Sequence, residues 1–136
     1  MISKVNVNAD GGARRNPGPA AIGVVVSDEN RKTLETCKER IGETTCNVAE
    51  YKALIKALQL AAKHTSKEVH VFMDSELVIK QVSGIYRVKA KHLLPLFQEV
   101  KKCASSFEKV VYNNVPRDNI YQIKADQLVN EALDGR

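Results

Sequence analysis

Four carboxylates, Asp10, Glu50, Asp74 and Asp126, are the residues of this 136-residue chain whose types and placement could do chemistry. Singly, each has an ordinary structural explanation. Asp10-Gly11 is a common turn dipeptide. Glu50 stands three residues after Asn47, the spacing of a capping box. Asp74 suits the cap of a helix beginning at Ser75, and Asp126 suits the first turn of a last helix. Brought together, four carboxylates repel and shift one another's pKa values unless a cation joins them. Hard oxygen donors with no neighbouring Cys or His point to Mg²⁺, with Mn²⁺ as a possible substitute, and away from zinc. Two such ions about 3.5–4 Å apart can activate a water and stabilise a leaving oxygen in phosphodiester hydrolysis. That chemistry needs no general-base side chain. His64, His70 and His92 are isolated, and no Ser-His-Asp or Cys-His arrangement suggests itself.

Positioning these acids requires elements that end at one rim. Residues 2–9 alternate, with Val5, Val7 and Ala9 on one face and Asn6, Asn8 and Asp10 on the other. Residues 21–27 form a near-continuous apolar run, as in a strand covered on both sides. Residues 33–41 predict a third, amphipathic strand at an edge, completing an antiparallel meander. Residues 47–64 predict a helix with Tyr51, Leu54, Ile55, Leu58, Ala61 and Ala62 on its apolar face. Residues 68–74 read as a strand and 75–84 as a short helix closed by Gly84. A helix over 91–106 tolerates Pro95 in its first turn. A strand over 108–115 and a helix over 123–133, buried through Ala125, Leu128, Val129, Ala132 and Leu133, complete the order β-β-β-α-β-α-α-β-α. A crossover that lays the fourth strand parallel to the first brings Asp10 and Asp74 to one crevice, where open α/β sheets place ligands.

Length and composition predict one soluble domain, residues 1–136. No apolar run approaches the ~20 residues of a membrane span, and the start passes straight into strand-like sequence, leaving no room for a secretory leader. Cys37, Cys46 and Cys103 lack CxxC pairing and read as reduced cytosolic thiols; a cytoplasmic location and a monomer are expected. Net charge is +5, from 21 Lys and Arg against 16 Asp and Glu. That balance weakly favours a polyanionic partner. Arg14 and Arg15 sit in the opening loop, while Lys80, Arg87, Lys89, Lys91 and His92 crowd one stretch.

Four segments, "DGGARRNPGPAAIG" (10–23), "TCNVAEYKALIKAL" (45–58), "DSELVIKQVSGIYRVK" (74–89) and "VPRDN…ADQLVNEAL" (115–133), together resemble the type 1 ribonuclease H family. The resemblance covers nearly the whole chain. It implies an α/β fold, a five-stranded mixed sheet in the order 3-2-1-4-5 with flanking helices. It also implies hydrolysis of the RNA strand of RNA–DNA hybrids, leaving 5′-phosphate and 3′-hydroxyl ends. By the same likeness Asp10 matches the acid bridging both metal ions, and Glu50 and Asp74 match acids beside the leaving oxygen. Asp126 matches the acid that holds the metal of the attacking water. Gly11, Gly12, Asn16 and Asn47 match positions that touch 2′-hydroxyls of the RNA strand, a contact Glu50 is expected to share, and Thr45 one that grips a DNA-strand phosphate. Lys80, Arg87, Lys89 and Lys91 are expected to neutralise further DNA-strand phosphates.

The chain departs from that family's pattern at two places. Many relatives carry a histidine in the loop before the last helix, thought to help product and metal leave. Here the stretch reads Asn113-Asn114-Val115-Pro116-Arg117, and Arg117 is a candidate substitute or a phosphate contact. An asparagine usual before the final Ala-Asp is missing, with Gln122 a candidate replacement. Segment 84–92 also lacks the Trp-rich basic protrusion of many bacterial members, which predicts modest affinity and low processivity. Two rivals share the fold class: proofreading-type exonucleases, which carry D-x-E on the first strand, and integrase-like transferases, which lack Glu50's counterpart. A third is a weakened module that binds or cleaves hybrids or double-stranded RNA.

Overall fold

The computed structural model describes residues 2–136; Met1, where the expected domain begins, lies outside them. Five strands, β1 (Lys4–Ala13), β2 (Gly18–Asp28), β3 (Thr33–Thr44), β4 (Glu68–Met73) and β5 (Lys109–Asn114), form one sheet in the order β3-β2-β1-β4-β5. β1, β2 and β3 pair antiparallel, whereas β4 lies parallel to β1 and β5 parallel to β4. The expected mixed sheet and strand order are those observed. Helices α1 (Cys46–Ala61), α2 (Glu76–Val82), α3 (Leu94–Ala104) and α4 (Gln122–Asp134) flank it. A single 3-10 turn, Lys91–Leu93, replaces the start of the helix expected over 91–106, and Pro95 lies in the first turn of α3.

One face of the sheet packs against α1. Val5, Val7, Ala9, Val69 and Val71 meet Leu54, Ala57, Leu58 and Ala61 in a continuous core. Ala49, Ala53, Ala57 and Ala61 recur every four residues along α1 and are all fully buried. Small side chains in that row let the helix backbone approach the sheet closely. The observed buried stripe is therefore rotated from the expected one: Ile55 is only half-buried and Ala62 is exposed.

The opposite face of β1, expected to be polar, is buried too. Asn6, Asn8 and Asp10 are 3%, 2% and 7% exposed, because α4 packs across that side. Their amide and carboxyl groups are consequently held by protein partners. Asn6 Nδ2 donates to the Asp28 carbonyl at 3.0 Å, and Asn8 Nδ2 donates to Gln122 Oε1 at 3.1 Å. Among the described residues no helix is long and apolar enough to cross a membrane.

Candidate active site

β1 does not stop at Asp10, as the Asp-Gly pair suggested. It continues to Ala13, paired with β2 through Gly12↔Ala21 and Ala13↔Ala20. What ends earlier is its parallel partner, since the last β1–β4 rung is Asn8↔Phe72. Continuing that register by two residues sets Asp10 opposite Asp74, just past the end of β4. The acids therefore sit where the sheet splits, β1 running on with β2 while β4 turns into α2. Asp10, Glu50, Asp74 and Asp126, each carried by a different segment, line one cleft with Arg117 and Asn130.

Two glycines bring the helices close enough to deliver their acids. A Cβ on Gly11 would lie 2.3 Å from the Ala49 carbonyl group and 2.5 Å from the Glu50 nitrogen. The backbone of α1 thus rests directly on β1 beside Asp10, and Glu50 projects from that point. On the other side, Gly23 pairs with Asp10 across β1–β2. A Cβ there would meet the Ala125 carbonyl oxygen at 2.3 Å and Leu128 Cβ at 2.9 Å. That contact seats α4 on β2 one residue from Asp126. Gly23 was missed as a determinant of the site, although an isolated glycine in a strand signals close backbone approach.

Crowding has an electrostatic result. The Asp10 carboxyl is pushed up to about 9, first by burial, then by Asp74, by a hydrogen bond with Asp126, and by Glu50. Carboxyls packed this closely cannot all carry charge without a cation among them. Glu50 is also raised, chiefly by burial, with Asp74 adding and the Ser75 hydroxyl and Arg117 opposing. Among the described residues no three Asp, Glu, His or Cys side chains are arranged as a ready-made cation cage. The acids instead meet pairwise around Asp10. Such an all-oxygen donor set, whose central member is protonated for want of countercharge, fits a hard divalent cation and not zinc.

The caps differ from expectation. Thr45, extended at φ −86 and ψ 162, caps α1 through Oγ1, which accepts from Val48 N at 3.3 Å; Asn47 lies inside the helix and is exposed, so no Asn47–Glu50 capping box forms. Ser75, not Asp74, caps α2. α4 begins at Gln122, which leaves Asp126 beyond its first turn. Glu50 and Asp74 thus do none of the capping, and Asp126 does not hold the first-turn position, that first explained them.

Around the acids, Gly12 lines the cleft, and Asn16 Oδ1 accepts from Cys46 N at 3.0 Å, tying the opening loop to the start of α1. Arg14 also lines the cleft and pairs with Asp134 at 2.5 Å, while Arg15 is exposed at φ 77. Arg117 Nε is 3.9 Å from Asp74 Oδ2, and its side chain is 87% exposed. Lys80 pairs with Glu76 at 2.8 Å. Arg87, Lys89 and Lys91 are exposed and do not line the cleft. Gln122 is buried beneath the acids and not among them.

Residues 8–132 match the family described as reverse transcriptase-like. The bifunctional protein Rv2228c of Mycobacterium tuberculosis is 46% identical over 133 residues, 96% of this chain and 36% of the relative. The chain therefore spans about a third of that relative's length. The crystal structure of LC11-RNase H1 in complex with RNA/DNA hybrid superposes with a TM-score of 0.88 at 43% identity, covering 96% of this chain and 97% of that one. RNase H1 from the halophilic archaeon Halobacterium salinarum NRC-1 superposes at 0.92 and 34% identity, covering 98% and 99%. Matched in fold, strand order and sequence along nearly its whole length, the chain belongs to the type 1 ribonuclease H family, within the reverse transcriptase-like group.

Proposed function

We propose that residues 1–136 are a single endonuclease domain that hydrolyses the RNA strand of RNA–DNA hybrids with divalent metal ions, giving 5′-phosphate and 3′-hydroxyl ends. One observation carries this reading: four carboxylates from four segments line one cleft, crowded around a buried Asp10. Asp10, Glu50, Asp74 and Asp126 would hold two Mg²⁺ ions, or Mn²⁺ in their place. Bound there, the cations supply a water of lowered pKa and countercharge for the leaving oxygen. Asp10 gives up its proton on taking that role.

The remaining residues bind and orient. Gly11, Gly12, Asn16 and Asn47 border the strand to be cut, and 2′-hydroxyl contacts there separate RNA from DNA. Asn16 spends its carbonyl oxygen on Cys46 N, so its NH₂ group is the part that faces a ligand. The Thr45 hydroxyl accepts from Val48 N and keeps its own proton to donate to a phosphate. Arg87, Lys89 and Lys91 add exposed charge for the DNA strand, with Lys80 shared with Glu76. Arg117, long and exposed above Asp74, suits a phosphate leaving the cleft. LC11-RNase H1, 43% identical, was crystallised with an RNA/DNA hybrid, which supports this substrate class. Three free cysteines support placing the domain in a reducing compartment such as the cytoplasm, where it would act as a monomer.

A labelled RNA–DNA hybrid, duplex DNA and duplex RNA, each incubated with Mg²⁺, Mn²⁺ or EDTA, test the proposal. Cleavage of the hybrid's RNA strand, abolished by EDTA, is expected. Binding without cutting under either metal would sink it.

A further inference from the structure

Beneath the Asp10–Asp126 pair lies a second rung built from uncharged side chains. Asn8 precedes Asp10 by two residues on β1 and shares its face, while Gln122 precedes Asp126 by one helical turn on α4. Two strand residues rise about 6.8 Å and four helical residues about 6 Å. The strand and helix therefore climb together, and the Asn8–Gln122 hydrogen bond sits one step below the acids. The bond is 3.1 Å long, and Gln122 Nε2 also donates to the Ala9 carbonyl at 2.9 Å. Gln122 is fully buried, and its backbone N–H is capped by Asn119 Oδ1 at 3.1 Å.

The rung is closed from outside by Arg31. Its Nη1 donates to Asn8 Oδ1 at 3.4 Å. Its guanidinium lies between two rings, 4.6 Å from the centre of Phe72 and 4.1 Å from that of Tyr121. Those rings are not incidental: Phe72 is the β4 residue paired with Asn8, and Tyr121 immediately precedes Gln122. Arg31 reaches them from the β2–β3 turn with φ at 65, a conformation that favours glycine. The turn itself is held by Asp28, whose Oδ1 accepts from Asn30 N and Lys32 N, both at 2.9 Å.

We propose that Arg31 is a positioning residue for the cleft: stacked between Phe72 and Tyr121 and bonded to Asn8, it locks the first turn of α4 to β1 and sets how closely Asp126 approaches Asp10. Its catalytic consequence rests on the proposed function, whereas the lock belongs to the resting protein and is measurable without substrate. Arg31→Gly removes the side chain and leaves the turn intact, because glycine adopts that φ freely. Arg31→Lys keeps the charge and loses the planar guanidinium that stacks.

Amide hydrogen exchange across residues 119–126, calorimetric Mn²⁺ titration, and hybrid cleavage against Mg²⁺ concentration form the test. Both variants are expected to exchange about tenfold faster at the start of α4, with Asp28-turn amides unchanged. Mn²⁺ affinity falls about tenfold and half-saturating Mg²⁺ rises by the same factor, as when partners behind metal ligands are lost. Cleavage at saturating metal stays within about threefold of wild type. Asn8→Ala is expected to reproduce the effect and to add little to Arg31→Gly. Wild-type exchange and affinity in Arg31→Gly, or full rescue by Arg31→Lys, would overturn the proposal. If the wild-type protein neither binds Mn²⁺ nor cuts hybrid, the proposed function falls, and the exchange measurement still decides whether the lock exists.

Discussion

The acid cleft and the basic segment 84–92 carry opposite charge by opposite means. In the cleft, Gly11 and Gly23 press α1 and α4 against the sheet, so the carboxylates are crowded and Asp10 is largely desolvated. In the basic segment, Arg87 and Lys89 stand on exposed chain, and Lys91 begins a single 3-10 turn. Chemistry that depends on separations of a few ångströms is assigned to interlocked backbone; attraction that acts over a Debye length is left to exposed side chains. Damage in the first region should therefore alter rate and metal use, and damage in the second only affinity and its salt dependence.

Replacing Asp10 breaks this contrast most severely. Asp10→Asn is expected to lower hybrid cleavage by on the order of 10⁴-fold, read in single-turnover assays. The same change should stabilise the metal-free fold. The Asp10 carboxyl is raised, so between about pH 4 and 9 the folded state holds a proton that the unfolded state has lost. Wild-type stability in EDTA should then fall as pH rises through that window, by at most about 1.4 kcal/mol per unit. Denaturant titrations should show Asp10→Asn without that slope.

Gly23→Ala comes next. Its methyl group would strike the backbone of α4, costing about 1–3 kcal/mol and displacing Asp126, with about 10²-fold slower cleavage. Activity undiminished in this variant would show that α4 seating does not govern the acids. Replacing Arg87, Lys89 and Lys91 together by Ala should leave stability within about 0.5 kcal/mol. Hybrid binding should weaken, and the log–log salt slope should shrink by about 0.7–0.9 per lost phosphate contact. Lys80→Ala should show the smallest effect, because Glu76 already shares that charge at 2.8 Å. A small loss of helix stability, read from thermal melts, is expected.

Much of this plan was legible in the sequence. The apolar run over 21–27 and the 3.6-residue stripe of α4 mark buried faces, the crossover helix suggests β4 beside β1, and the full strand order follows from the family resemblance. By sequence all four acids are expected at element ends, which is true of Asp74 alone: β1 runs past Asp10, and Glu50 and Asp126 lie inside α1 and α4. What stayed hidden depends on contacts between distant segments. Nothing local distinguishes Asp10 at a strand's end from Asp10 where one neighbour stops and another continues. In Thr44-Thr45-Cys46-Asn47 several residues suit a cap, and only the fold selects Thr45. Nothing in the alternation of residues 2–9 shows that the polar face of β1 is buried, because its cover comes from α4, more than a hundred residues away, which supplies Gln122 to Asn8.

If the crowded carboxylates are a divalent-cation site, Asp10 must lose its proton as the cation binds. Titrating Mg²⁺ calorimetrically at pH 7 in buffers of different ionisation enthalpy measures that directly. Binding that releases close to one proton per protein, with the release absent in Asp10→Asn, is the predicted result. No binding, or binding that releases no proton and is unchanged in Asp10→Asn, would contradict it.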